Sequence, residues 1–176
     1  MASIIILYST TDGHTREICD CLQQQLEKSG NKVTLVCLND DPQVDLTSFD
    51  KIVIGASIRY GKHNVKVYKL IAANLVVLNK KPNAFFSVNA VARKAEKAQP
   101  ETNPYLQKFL KQIAWQPEQL AVFAGKIDYQ MYGFLDRTMI RFIMWMTKGP
   151  TDPNTNIEFT DWGQVEKFGL VIHEMQ

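Results

Sequence analysis

Five short apolar runs alternate along the chain with stretches whose apolar residues recur at helical spacing. The runs are SIIILYS (3–9), KVTLVCL (32–38), KIVIGAS (51–57), PNAFFSVNAV (82–91) and QLAVFAGKIDY (119–129). Four intervening or closing stretches carry the other period. They are 14–29, with Ile18, Leu22 and Leu26 in register, then 65–78, then 102–115, with Tyr105, Phe109 and Ile113 on one side, and 161–175, with Asp161 at the N-cap. Strands that are apolar on both sides and alternate with helices predict a parallel sheet covered on both faces. Five such strands fit a doubly wound α/β fold of order 2-1-3-4-5. The whole chain of 176 residues has the size of one domain and shows no repeat or linker.

Composition narrows the function classes. Charged residues make up 22% and the formal net charge is only +2, which gives no electrostatic footprint for nucleic acid. No apolar run reaches the roughly 20 residues that span a bilayer. No basic region precedes the first strand, so no secretory leader is expected, and the reading is cytoplasmic. Cys19, Cys21 and Cys37 have neither C-x-x-C nor zinc spacing and read as reduced packing thiols. No His/Cys/Asp/Glu grouping has metal-ligand spacing.

In a sheet of this kind, ligands bind beyond the carboxyl ends of the strands, where strand order reverses. The first loop there is STTDGHT, Ser9 to Thr15. Gly13 permits a tight turn, and the start of a helix offers unpaired amides and a positive dipole end. Ser9, Thr10, Thr11 and Thr15 add hydroxyls, so a phosphate monoester fits without a lysine. The loop lacks both the G-x-G-x-x-G and the G-K-[ST] patterns. Taken by itself it reads equally as a hydroxyl-rich turn with a cap. Two further loops leave the same sheet edge: Ser57, Ile58, Arg59, Tyr60 and Gly61 after the third strand, and Ser87, Val88, Asn89, Ala90, Val91, Ala92 and Arg93 after the fourth. Together the three suit a phosphorylated planar ligand.

Thr10, Gly13 and Thr15 place the first loop on the S/T-x-T-G-x-T pattern, and here the chain resembles the flavodoxin-like family, whose loop holds the phosphate of FMN. Asp12 departs from that pattern, where flavodoxins usually have Thr. A carboxylate beside a phosphate is unfavourable, so Asp12 is expected to turn outward or cap the helix. STTDGHTREI, IGASIRYGKH, SVNAVARKAEKAQPETNPY and FTDW, in this order, look like the menaquinone-dependent protoporphyrinogen IX dehydrogenases. That resemblance covers nearly the whole chain. It implies FMN as cofactor, protoporphyrinogen IX as substrate in haem biosynthesis, and menaquinone or ubiquinone as acceptor.

The local chemistry is compatible. Tyr60 is placed to stack on one flavin face, and the third loop offers no aromatic before Tyr105. Arg59, Lys62, Arg93, Lys94 and Lys97 put positive charge around the ring, suited to an anionic reduced flavin or to the propionates of a porphyrinogen. Arg59 and Arg93 are the functional candidates among these, and the lysines read as solvated. His63 is a candidate proton acceptor, although a lone His is more often structural.

Residues 131–148, MYGFLDRTMIRFIMWMTK, exceed what a minimal fold of this class needs. From Asp136 they predict a helix with Arg137, Arg141 and Lys148 on one line and apolar residues around most of the rest, at about 100° per residue. Such a helix can lie on an anionic bilayer with its basic line at the headgroups, placing the protein at the cytoplasmic side of the inner membrane. It can instead cap the flavin, pack against a second copy of the chain, or fill the core. Two other functions remain open: a general flavodoxin-like electron carrier or NAD(P)H:quinone reductase, and a membrane-docking module without flavin.

Overall fold

The computed structural model describes residues 1–176. Its central sheet is built by β1 (Ser3–Ser9), β2 (Lys32–Cys37), β3 (Lys51–Arg59), β5 (Asn83–Asn89) and β6 (Gln119–Ala124), all parallel, in the spatial order β2-β1-β3-β5-β6. Counted among the parallel strands alone, this is the expected order 2-1-3-4-5. A two-residue strand, β4 (Lys62–His63), folds back antiparallel onto the end of β3. The turn between them is Tyr60 and Gly61, with φ of 51° and 75°. Two left-handed residues in a row twist a tight hairpin the right way. Gly61 does this freely, whereas Tyr60 is held there against its preference.

Alternation along the strands sends side chains to two cores. Ile4, Ile6 and Tyr8 of β1, with Val53, Phe86 and Val88, pack under α1 (His14–Lys28) and α6 (Trp162–Glu174). Ile5 and Leu7, with Ile52, Ile54 and Phe85, pack under α2 (Val65–Ala73), α3 (Leu75–Leu78) and α4 (Pro104–Leu110). Ile4 to Leu7 are all fully buried, each worth about 1.5–3 kcal/mol relative to exposure. Gly55 is required at the centre of β3. The ring of Phe86 lies across it, and a Cβ there would stand 2.1 Å from Phe86 Cζ.

Four elements differ from expectation, each for a local reason. The stretch 65–78 is two helices because the Asn74 backbone leaves helical geometry (φ −118°, ψ 17°), with its Nδ2 donating to the Leu70 carbonyl at 2.9 Å alongside its own amide. The stretch 102–115 is helical only from Pro104, where Asn103 accepts from the Leu106 amide as N-cap, to Leu110. The run 119–129 breaks at Gly125. Beyond it, β7 (Lys126–Asp128) leaves the main sheet and pairs antiparallel with β8 (Asn156–Glu158). The fourth difference is α5 (Phe134–Met146), which starts two residues before Asp136.

The orientation of α5 also corrects the expected one. Its arginines turn toward the chain's own carbonyls: Arg137 Nε donates to Tyr129 O at 2.9 Å, and Arg141 Nε to Thr151 O at 2.8 Å. Met144 is buried, and with Ile140 it packs on Ile127, Tyr129 and Tyr132. The opposite face leaves Phe134, Leu135, Met139, Phe142, Trp145 and Met146 exposed. All three cysteines are free thiols, Cys19 buried and Cys21 and Cys37 half-buried.

Candidate functional site

The carboxyl ends of β1, β3 and β5, the start of β7 and the inner face of α5 converge on one cleft of about 210 Å³. Of the residues singled out from the sequence, Thr10, Thr11, Asp12, His14, Thr15, Ser57, Ile58, Arg59, Tyr60, Gly61, Val88, Asn89, Ala90 and Val91 line it. Ser9, Gly13, Ser87, Ala92 and Arg93 do not.

The first loop has the features of an anion cradle. Gly13 opens α1 with φ 87° and offers no side chain to cap it, so the first amides of a 15-residue helix lack intrahelical partners at the point where His14 and Thr15 line the cleft. Thr10 Oγ1 steadies the turn by accepting from the Gly13 amide at 2.9 Å. The hydroxyl of Thr15 is buried and has no hydrogen-bond partner. A buried hydroxyl left unpaired is costly, and a phosphate oxygen at the helix start would supply the missing partner. The site thus fits the phosphate end of a flavin nucleotide.

Two further contacts hold this loop. His14 Nε2 lies 2.6 Å from Thr160 Oγ1, and that hydroxyl donates to the Ala124 carbonyl at 2.7 Å. His14 Nδ1 lies 2.9 Å from Glu17 Oε2. The FTDW stretch (159–162) is therefore a strap between the phosphate loop and the end of β6. Asp161 caps α6 by accepting from the Gln164 amide, and the Phe159 amide donates to Gly125 O.

Asp12 neither points away nor caps. Its two oxygens accept from Arg59 Nη1 and Nη2 at 3.2 and 3.3 Å. Burial raises its pKa above the ordinary carboxylate value, and the Arg59 charge works against that rise. Arg59 so offsets the one charge in the loop that opposes an anion. Its guanidinium also donates to Asp136 Oδ2 at 3.3 Å and lies 5.1 Å from the centroid of the Tyr132 ring. The Tyr60 hydroxyl donates to Asp136 Oδ1.

Arg93 and His63 take other places than expected. Arg93 Nη1 donates to Ala90 O at 2.8 Å, and Nη2 donates to both Thr147 O and Thr147 Oγ1 at 3.0 Å. The guanidinium closes the C-terminal end of α5 and is not part of the cleft lining. His63 is buried between Phe85 and Phe109, with Nε2 3.0 Å from Ser87 Oγ. Burial pushes its pKa down to about 3, so it stays neutral and cannot take a proton from the cleft near neutral pH. Ser87 and Ala92 are likewise buried, Ala92 in the core below α4.

The cleft also contains residues the sequence did not single out for it: Glu17, Gly125, Lys126, Ile127, Asp128, Met131, Tyr132, Ile140, Ile143 and Met144, with Tyr105 beside Gly61. Gly125 was the available signal. A glycine inside an apolar run marks a break, and this one stands at the carboxyl edge where ligands bind. For 131–148 a cap over the flavin is one of the readings, but an apolar stripe does not say which of its residues face inward.

A model of the flavodoxin domain matches residues 5–154. The chain is 42% identical over 168 residues to the protoporphyrinogen IX dehydrogenase [quinone] of Escherichia coli (strain K12), covering 96% of this chain and 93% of the relative. It is 41% identical over 165 residues to the protein of the same name from Leishmania major, covering 93% of this chain and 71% of the relative. Among solved structures, a flavodoxin from the domain Archaea superposes with a TM-score of 0.52 at 15% identity, over 98% of this chain and 96% of that one. The flavodoxin WrbA-like protein from Agrobacterium tumefaciens does so with 0.53 at 12% identity, over the same shares. These two speak for the fold alone.

Proposed function

The chain belongs to the flavodoxin-domain family of protoporphyrinogen IX dehydrogenases [quinone], and from that premise we propose that it uses FMN to oxidise protoporphyrinogen IX and passes the electrons to menaquinone or ubiquinone. The cofactor is a flavin. The observation that supports FMN in particular is the pairing, at one end of the cleft, of an uncapped helix start with the orphaned hydroxyl of Thr15. A terminal phosphate monoester satisfies both. A bound flavin accepts electrons from one organic partner and delivers them to another.

The chain's own residues then have separable roles. Thr10, Gly13 and Thr15 shape the phosphate cradle, with His14 tied to Thr160 behind it. Arg59 neutralises Asp12. Ile58, Val88, Val91, Ile127, Ile140, Ile143 and Met144 give the cleft apolar walls suited to a flat macrocycle or a quinone. The inner face of α5 excludes water from one side. No histidine in the cleft is placed as a dedicated base, so proton release falls to water or to the cleft carboxylates.

The acceptor's place in the bilayer suits the outer face of α5. No helix is long and apolar enough to cross a membrane. Yet Phe134 and Leu135 are 83% and 81% exposed, and Trp145 70%. Arg141 borders this face beside Phe142 and Trp145, its Nε held by Thr151 O. Exposed aromatic and aliphatic residues beside a cation match a helix lying in the interface of an anionic leaflet. Peripheral docking through α5 follows.

The test is anaerobic. Purified protein, FMN, a quinone and protoporphyrinogen IX are combined and porphyrin fluorescence is followed. Growth that needs all four components is expected. A yellow sample that reduces quinone from another donor but forms no porphyrin above the protein-free control would make it a general flavodoxin-like reductase.

A further inference from the structure

We propose that Arg59 and Tyr60 form a docking site for a carboxylate of the substrate, and that Asp136 holds that site as an internal stand-in. The substrate's identity rests on the porphyrinogen reading above; the site itself does not. Two donors from one hairpin converge on one carboxylate. Arg59 Nη2 reaches Asp136 Oδ2 at 3.3 Å, and the Tyr60 hydroxyl donates to Oδ1 of the same group. A cation and a hydroxyl meeting on the two oxygens of one carboxylate give charge-assisted recognition. Tyr60 sits left-handed in its hairpin turn, the kind of backbone strain found at ligand sites.

The two carboxylates on Arg59 are not equally exchangeable. Asp12 makes two contacts with the guanidinium from inside the phosphate loop, with 32% side-chain exposure. Asp136 makes one, with 39% exposure. It belongs to the first turn of α5, whose N-cap, Gly133, supplies no side-chain cap, and its neighbours Phe134 and Leu135 are exposed. Arg137 ties that turn to Tyr129 O and Tyr132 O, so the mobile part is the Asp136 side chain itself. The other end of the helix is closed by Arg93 on Thr147. An incoming carboxylate can replace Asp136 while Arg59 stays pinned by Asp12, and the local charge is unchanged by the exchange. The displaced Asp136 carboxylate, already 39% exposed, swings into water, while Ile140, Ile143 and Met144 remain over the apolar part of the ligand. The occupant is an apolar, flat molecule carrying peripheral carboxylates, as a porphyrinogen does with its propionates.

The experiment measures binding of protoporphyrin IX and of its dimethyl ester to the flavin-loaded protein by fluorescence quenching. Wild type, Asp136→Asn, Asp136→Ala and Tyr60→Phe are compared, with flavin content and melting temperature recorded. Wild type is expected to prefer the free acid. Removing the internal competitor should tighten the free acid about 3–5-fold, the worth of one partly exposed ion pair, and leave the ester unchanged. Tyr60→Phe should weaken the acid alone. No acid-over-ester preference in wild type overturns the site even if a variant fails to fold. Equal or weaker acid binding in well-folded Asp136 variants, or parallel shifts for acid and ester, overturns the stand-in. If the acid preference and the Asp136 effect appear but protoporphyrinogen is not oxidised, the proposed activity fails and the carboxylate site stands.

Discussion

His14 and Thr160 are 146 residues apart in the chain and 2.6 Å apart in the fold. The contact fastens the phosphate loop to the strap that closes over β6. Thr160→Val keeps the shape and removes the hydroxyl, leaving both His14 Nε2 and the Ala124 carbonyl without their partner. Stability should fall by about 1–2 kcal/mol, the usual consequence of orphaning partly buried polar groups. FMN affinity should fall with it, read by flavin fluorescence titration; unchanged affinity would mean that the loop keeps its shape without the strap.

Arg93→Ala should act on α5 rather than on substrate recognition. Three hydrogen bonds from the guanidinium are lost, two of them to Thr147. A loss of about 2–3 kcal/mol is expected, since hydrogen bonds to charged groups are among the stronger ones. The readouts are a lower melting temperature and faster proteolytic cutting between residues 129 and 152. A variant with normal stability and a selective rise in substrate KM would instead restore Arg93 to the cleft.

His63 gives stability an acid dependence of known sign. Its folded pKa is depressed to about 3 from an ordinary 6.5. Between those values the unfolded chain holds the proton and the folded protein does not. This contribution is therefore complete above pH 6.5 and is lost as pH falls toward 3, by at most about 1.4 kcal/mol per pH unit. His63→Gln should flatten the stability–pH curve by up to one proton in that window, measured by denaturant unfolding. Near pH 7 its turnover should stay close to wild type. A large loss of kcat there would reinstate His63 as a proton acceptor.

The outer face of α5 should carry membrane affinity. Phe142→Glu with Trp145→Glu replaces two exposed aromatic side chains, whose burial in a lipid interface is worth about 1.5–3 kcal/mol each. Sedimentation with anionic vesicles should drop by at least about tenfold, and wild type alone should show a blue-shifted Trp145 emission with vesicles. Equal sedimentation of wild type and variant would argue against this docking face. A concentration-dependent mass change removed by the same variant would point to a second copy of the chain.

The sequence by itself determined the sheet and its outline. Strand and helix periods are local, and β1, β2, β3 and β5 lie within two residues of where apolar runs predict them, as does α6 with Asp161 as its cap. Loop positions followed from strand order, so most residues of the three loops could be placed at one edge from the chain alone. Tertiary structure decided where side chains aim. Arg59 and Arg93 look alike in the sequence, both basic and both in loops at the same edge. One neutralises Asp12 within the cleft, and the other closes the far end of α5. His63 follows a cleft loop, yet the β3–β4 hairpin turns it into the core against Phe109. The reverse happened in 131–148, where apolar composition was visible but not its division into an inner wall and an outer face. Acceptors such as Tyr129 O, Thr147 O and Thr151 O are main-chain groups present at every residue. Which of them an arginine finds depends on distances between segments remote in the chain, and no local pattern encodes those distances.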